Sequence, residues 1–230
     1  MELKNILLNN QIIKDLITNN NTLAIYLGGS RLLNLELSGS DYDIIVVSKE
    51  KAIMELNGAH LGIYSNNKVH IQSICFYDII KNLNMPNENP RAVQMLCLLQ
   101  FLLDDIDYLY QSEEYKSIQN ILKKYYDKLC YFCLEKLLEN LGKPQINSIY
   151  LKSDYHYICF DFMLSNYKKY KKLTLTSEQK DQIKLIKETR KVPAKIIDTL
   201  EKRTFKQYQF YYKDYKEIYQ EVVACQKQFI

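Results

Sequence analysis

Apolar residues fall at helical spacing over positions 1–20, where Leu3, Ile6, Leu7, Ile12, Ile13 and Leu16 line one stripe, and this predicts an amphipathic N-terminal helix. The period then changes. Leu23-Ala-Ile-Tyr-Leu27, opened by the polar pair Asn21 and Thr22, reads as a short buried strand. Ser30 is placed to cap a short helix reaching about Leu35, and Ser38-Gly39-Ser40 makes a second turn. Asp41-Tyr42-Asp43 then runs into the apolar segment Ile44 to Val47, a second strand. Val69 to Cys75 alternates and predicts a third strand, lying beside the one that starts at Asp41. Asp78 to Leu83 is expected to turn helical, and Asn87-Glu-Asn-Pro90 is a turn cluster that opens a helix from Arg91 to Leu103.

Everything beyond reads as helices, over about 113–141, 147–170 and 177–190, with a final pair flanking Pro193. Gly142-Lys-Pro144 is a plausible cap and break for the first of these. The pattern predicts an α+β chain: a small catalytic core over residues 1–105, built on a short mixed sheet with helices, and a helical module over 106–230. No internal repeat or low-complexity linker interrupts it.

Composition narrows the picture. With 230 residues, 47% hydrophobic and 25% charged, the chain can bury a real core in one or two domains. It carries no apolar run of transmembrane length and no signal-peptide pattern, so no membrane role is expected. Six cysteines (75, 97, 130, 133, 159 and 225) sit mostly in apolar helical patterns and form no disulfide framework. A reducing, cytoplasmic setting fits them. Cys130-x-x-Cys133 has neither a second such pair nor nearby histidines to complete a zinc site.

The net charge of +4 is unevenly spread. Lys168-Lys-Tyr-Lys-Lys172 and the stretch from Lys202 to Lys216 mix cations with aromatics, in a chain holding 20 tyrosines. Such mixtures bind nucleic acid through phosphates and stacked bases. The composition, rich in Tyr, Asn, Ile and Lys throughout, favours instead a solvated helix face whose tyrosines pack inward.

The candidate chemistry lies between residues 28 and 47. Side chains alternate along a strand, so Asp41 and Asp43 share a face while Tyr42 points away. Adjacent like charges repel and contribute nothing to folding, but they suit a hard divalent cation, which takes oxygen ligands. Eleven positions upstream of Asp41, Gly28-Gly29-Ser30 offers backbone N–H groups and a hydroxyl with no Cβ to block a phosphate. Arg31 is positioned either to reach a phosphate or to pair with Glu36. Together these residues suggest metal-assisted chemistry on a nucleoside triphosphate.

The Gly-Gly-Ser turn, the spacing and the Asp-x-Asp strand resemble the signature of the DNA polymerase β-like nucleotidyltransferase superfamily. Asp78-Ile-Ile-Lys-Asn-Leu83, Asn89-Pro90 and Leu103-Asp-Asp-Ile-Asp107 resemble its RlaP/YcgL-like branch, some of whose members accompany RNA-ligase repair systems. The resemblance implies a Mg²⁺- or Mn²⁺-dependent transfer of NMP from an NTP to an acceptor hydroxyl, with an RNA end the favoured acceptor. Asp41 and Asp43 would hold the metal. Gly28, Gly29, Ser30, Arg31 and Ser40 would contact the nucleotide, joined by Lys152 and His156, which match a Lys-x-x-x-His pattern of that branch and share a helix face.

Three positions depart from the pattern. His70 stands where the third metal carboxylate is expected, Gln94 where the branch has Glu, and Cys159 where it has Arg. His70 could act as the base, since its intrinsic pKa lies near neutrality. Alternatively activity is reduced or lost, or Asp78 is the third acid.

Overall fold

A computed structural model describes residues 3–49, 59–64, 67–76, 80, 92–103, 106–144, 150–201 and 212–229. The elements, in chain order, are α1 (Leu3–Asn9), α2 (Gln11–Thr18), β1 (Thr22–Leu27), α3 (Gly29–Leu32), β2 (Tyr42–Ser48), β3 (Ala59–Tyr64) and β4 (Asn67–Cys75). They continue with α4 (Ala92–Phe101), β5 (Tyr108–Gln111), α5 (Glu113–Lys124), α6 (Tyr126–Leu141), α7 (Lys152–Tyr170), α8 (Ser177–Thr189), α9 (Ala194–Glu201) and α10 (Tyr212–Gln226). This is an α+β fold, a small mixed sheet followed by a helical region.

The sheet has five strands in the order β3-β4-β2-β1-β5. Only β2 and β4 run parallel, with Asp43 opposite His70 and Ile45 opposite Gln72; β1 is antiparallel to both β2 and β5. The expected adjacency of the third strand to the Asp41/Asp43 strand therefore holds. The apolar run Ile44–Val47 is buried throughout because the sheet is covered on both faces. Ile44 and Val46 pack with Ile25, Ile71 and the N-terminal residues Leu7, Ile13 and Leu16. Ile45 and Val47 join Leu23, Tyr26, Leu129, Tyr155 and Ile183 in a larger cluster that continues through the helices.

Three local expectations are corrected. The N-terminal helix is two helices, because Asn10 leaves the helical conformation and its side chain caps α2 by accepting from the Ile12 N–H. Leu7, Ile13 and Leu16 are buried, but Ile6 and Ile12 remain exposed. The helix over 113–141 breaks at Tyr125, which ends α5 and precedes α6. The region read as all helix opens with a strand, β5, which pairs with the outer edge of β1. The predicted helix over 78–83, the turn at 84–90 and the basic stretch from Lys202 into residue 211 lie outside the described residues, apart from Ile80.

α8 is closed at its start by Thr176 and Gln179, whose side chains bond each other's backbone N–H groups. Gln179 also bonds the buried Asn166 of α7. This locks α8 against α7.

Candidate active site

Gly28 and Gly29 are glycines for steric reasons that the structure makes explicit. Gly28 donates its N–H to the Asp43 carbonyl at 2.7 Å, and a Cβ there would lie 2.4 Å from Cγ1 of Ile45. Gly29 has φ +61°, and a Cβ on it would lie 2.0 Å from Oδ2 of Asp43. The turn that opens α3 thus sits directly on the Asp43 carboxylate. Gly28 spends its own N–H on the β1–β2 connection, whereas Gly29 and Ser30 begin the helix. Ser30 lies inside α3 rather than at its cap position, which Gly28 occupies.

Asp41 precedes β2 and Asp43 lies within it. Oδ1 of Asp41 accepts from the Lys68 N–H at 3.2 Å, and its Oδ2 lies 3.7 Å from Nε2 of His70. That separation is an ion-pair distance, too long for a strong hydrogen bond. Since His70 is also in register with Asp43, the fold brings Asp41, Asp43 and His70 to one end of the β2–β4 pair. Among the described residues no group of three or more His, Cys, Asp or Glu side chains converges to hold a metal. The donor set nevertheless suits a hard cation. It provides two carboxylates at the start of β2, with Asp41 about half exposed (48%) and so open to further oxygen ligands. Asp78 lies outside the described residues, as does the side chain of Gln94.

Arg31 does not pair with Glu36. Its guanidinium lies 3.6 Å from the centre of the Tyr42 ring, and Nη2 donates to the Ser40 carbonyl at 3.1 Å. The Ser40 hydroxyl accepts from the Leu37 N–H at 2.8 Å. Arg31 and Ser40 together tie the second turn to the start of β2, which holds Asp41 in place. The Nε of Arg31 is buried without a hydrogen-bond partner.

The helical region approaches the chain between α3 and β2, where Lys187 meets the Leu35 carbonyl. Tyr155 of α7 is buried, and its phenol is pushed up to about 12 by desolvation first, with the negative charge of Asp43 among the lesser contributions. The His156 ring lies 4.0 Å from that of Tyr155, tilted by 32°, and nearly parallel to that of Phe160 at 6.4 Å. Burial first, then the positive charges of Lys152 and Lys187, push its pKa down to about 4. At neutral pH it is an uncharged imidazole, a ring that hydrogen-bonds and stacks but does not act as a cation for phosphate. Lys152 is exposed at the first residue of α7. Cys159 is buried, and its thiol is pushed up to about 12 by desolvation.

Sequence reasoning missed Lys187. It reaches from α8 to donate to the Leu35 carbonyl at 2.6 Å and lies 5.2 Å from the centre of the Tyr155 ring. Burial lowers its pKa, opposed by Glu36. The available signal was the i, i+4, i+7 spacing of Lys180, Lys184 and Lys187. The pair Cys130 and Cys133 is free and fully buried in α6, where desolvation pushes both thiols up. Among the described residues no helix is long and apolar enough to cross a membrane.

A family model described as a nucleotidyltransferase domain matches residues 10–223. No curated protein matches the chain.

Proposed function

Because the chain belongs to the nucleotidyltransferase domain family, we propose that it transfers an NMP from an NTP to an acceptor hydroxyl and releases pyrophosphate. The observation that carries this reading is the contact of the Gly29 turn with the Asp43 carboxylate. It sets the turn's backbone N–H donors beside the Asp43 carboxylate, two residues from Asp41, a juxtaposition that suits a triphosphate and its cation. Gly29 and Ser30 hold triphosphate oxygens through their N–H groups, and Lys152 adds positive charge. Asp41 and Asp43 hold Mg²⁺ or Mn²⁺, which supplies neutralisation of charge developing on the phosphates. His156, uncharged and stacked in an aromatic setting, faces the nucleobase rather than a phosphate. His70, beside Asp41, takes the proton of the attacking hydroxyl.

RNA ends are the favoured acceptor, on the resemblance to the RlaP/YcgL-like branch, and the free buried thiols suit a reducing cytoplasm. The occupation of the third acidic position by His70 supports a second reading. In it the chain binds a nucleotide without turning it over.

The test is transfer from each labelled NTP, with Mg²⁺, Mn²⁺ or EDTA, alongside nucleotide-induced thermal shift. Asp41→Asn/Asp43→Asn is expected to abolish transfer while leaving Tm unchanged or slightly raised, since two like charges are removed. Retained transfer in that variant would rule the assignment out. A metal-dependent thermal shift without pyrophosphate release for any acceptor pool would establish the second reading instead.

A further inference from the structure

Away from the carboxylates, at the far end of the four-residue helix α3, a cavity of about 640 Å³ opens between Leu32–Asn34, Leu102–Leu103, Tyr126 and the α7–α8 loop. This volume lies in the range of small-molecule sites. Its wall is largely leucine with one tyrosine ring, while Lys171, Lys172 and Lys180 stand around it. Lys171 is engaged with Asp127 at 3.7 Å. The side chains of Lys172 and Lys180 form no hydrogen bond or ion pair with any described residue, and nor does that of Lys184.

Lys180, Lys184 and Lys187 share one face of α8, and all three are half-buried beside the core residues Ile183 and Ile186. Seven residues of helix span about 10 Å, longer than a single phosphate group. The row starts at the cavity and ends at Lys187, over Tyr155, whose phenol feels the Asp43 charge. Positive charge is concentrated here. Residues 168–195 hold ten Lys and Arg against three Asp and Glu, a net +7, whereas the whole chain carries +4.

We propose that the cavity and this lysine row form a track for a single-stranded RNA acceptor. The cavity takes one nucleobase upstream of the reactive end, against Tyr126 and the leucines. Lys180 and Lys184 take backbone phosphates and lead the end past Lys187, which is held on the Leu35 carbonyl, toward Asp43. A run of cations joined to an apolar, aromatic-bearing recess is the arrangement that binds single strands by backbone charge and base stacking. The inference rests on the transferase reading for its direction along the row, but binding is measurable without catalysis.

The experiment is fluorescence anisotropy of a labelled single-stranded RNA, with no NTP, across a salt series. Lys180→Gln/Lys184→Gln is expected to weaken binding roughly tenfold and to flatten the slope of log K against log salt by about 1.4, two contacts at roughly 0.7 each. The same strand with abasic residues binds wild type several-fold more weakly, and Thr174→Trp, which fills the mouth of the cavity, removes that difference. Thr174 is exposed, so the substitution spares the core. Equal RNA affinity and salt slope in wild type and Lys180→Gln/Lys184→Gln overturn the proposal, as does an abasic strand that binds as well as the intact one. Asp41→Asn/Asp43→Asn retains RNA binding if the track stands. RNA binding with no nucleotide-dependent thermal shift therefore sinks the transferase reading alone, and the reverse result sinks the track alone.

Discussion

Gly29→Ala separates stability from chemistry at the point where the two meet. The added methyl carbon would lie 2.0 Å from Oδ2 of Asp43, and ordinary contact begins at 3.4 Å, so the carboxylate must retreat by about 1.4 Å. Displacements of about 1 Å in a reacting assembly cost on the order of 10²-fold in rate. Alanine at φ +61° adds left-handed strain of about 1–2 kcal/mol, equivalent to a fall in Tm of roughly 2–8 °C for a chain of this size. Gly28→Ala is the control. Its φ of −109° carries no such strain, but its Cβ would strike the core side chain of Ile45 at 2.4 Å, and overpacking costs about 1–3 kcal/mol. The paired measurement is NMP transfer per folded molecule and thermal melting. Gly29→Ala is expected to lose about 10²-fold or more in transfer with a modest change in Tm. Activity within roughly threefold of wild type would refute the argument that the turn positions Asp43.

Two further outcomes follow from groups outside the turn. The pKa of His156 is lowered from 6.5 to about 4, so the unfolded chain binds this proton more readily than the native one. The stability it supports is therefore complete above pH 6.5 and is lost as pH falls toward 4, by up to about 3 kcal/mol. His156→Gln should flatten that part of the Tm–pH curve, and an unchanged slope would show that the imidazole is not held neutral. At the end of β2, Lys49 pairs with the buried Glu114 of α5 at 2.7 Å. Lys49→Met strands the carboxylate and is expected to cost about 2–4 kcal/mol in urea denaturation, more than Glu114→Gln; the opposite ranking would mean that solvent, not Lys49, satisfies the acid.

The sequence by itself determined the β1–α3–β2 order, the place of Asp41 and Asp43 at the start of β2 and the position of β4 beside them. Strand alternation, turn glycines and short apolar runs are local properties, and a local pattern suffices to place side chains that lie close along the chain. The split at Asn10 was also locally encoded, through an asparagine cap that the apolar stripe obscured. Other features required the assembled molecule. Tyr108–Gln111 is four residues without a decisive pattern, and it becomes a strand because the outer edge of β1 offers backbone partners. The i, i+4 spacing of Lys152 and His156 predicted a shared face but not a charge state. Burial beside Tyr155 and two lysines makes His156 neutral. Lys187 meets the Leu35 carbonyl across 152 positions of sequence. Desolvation and long-range contact depend on what packs against a group, so only the tertiary structure decides which charges are kept and which are suppressed.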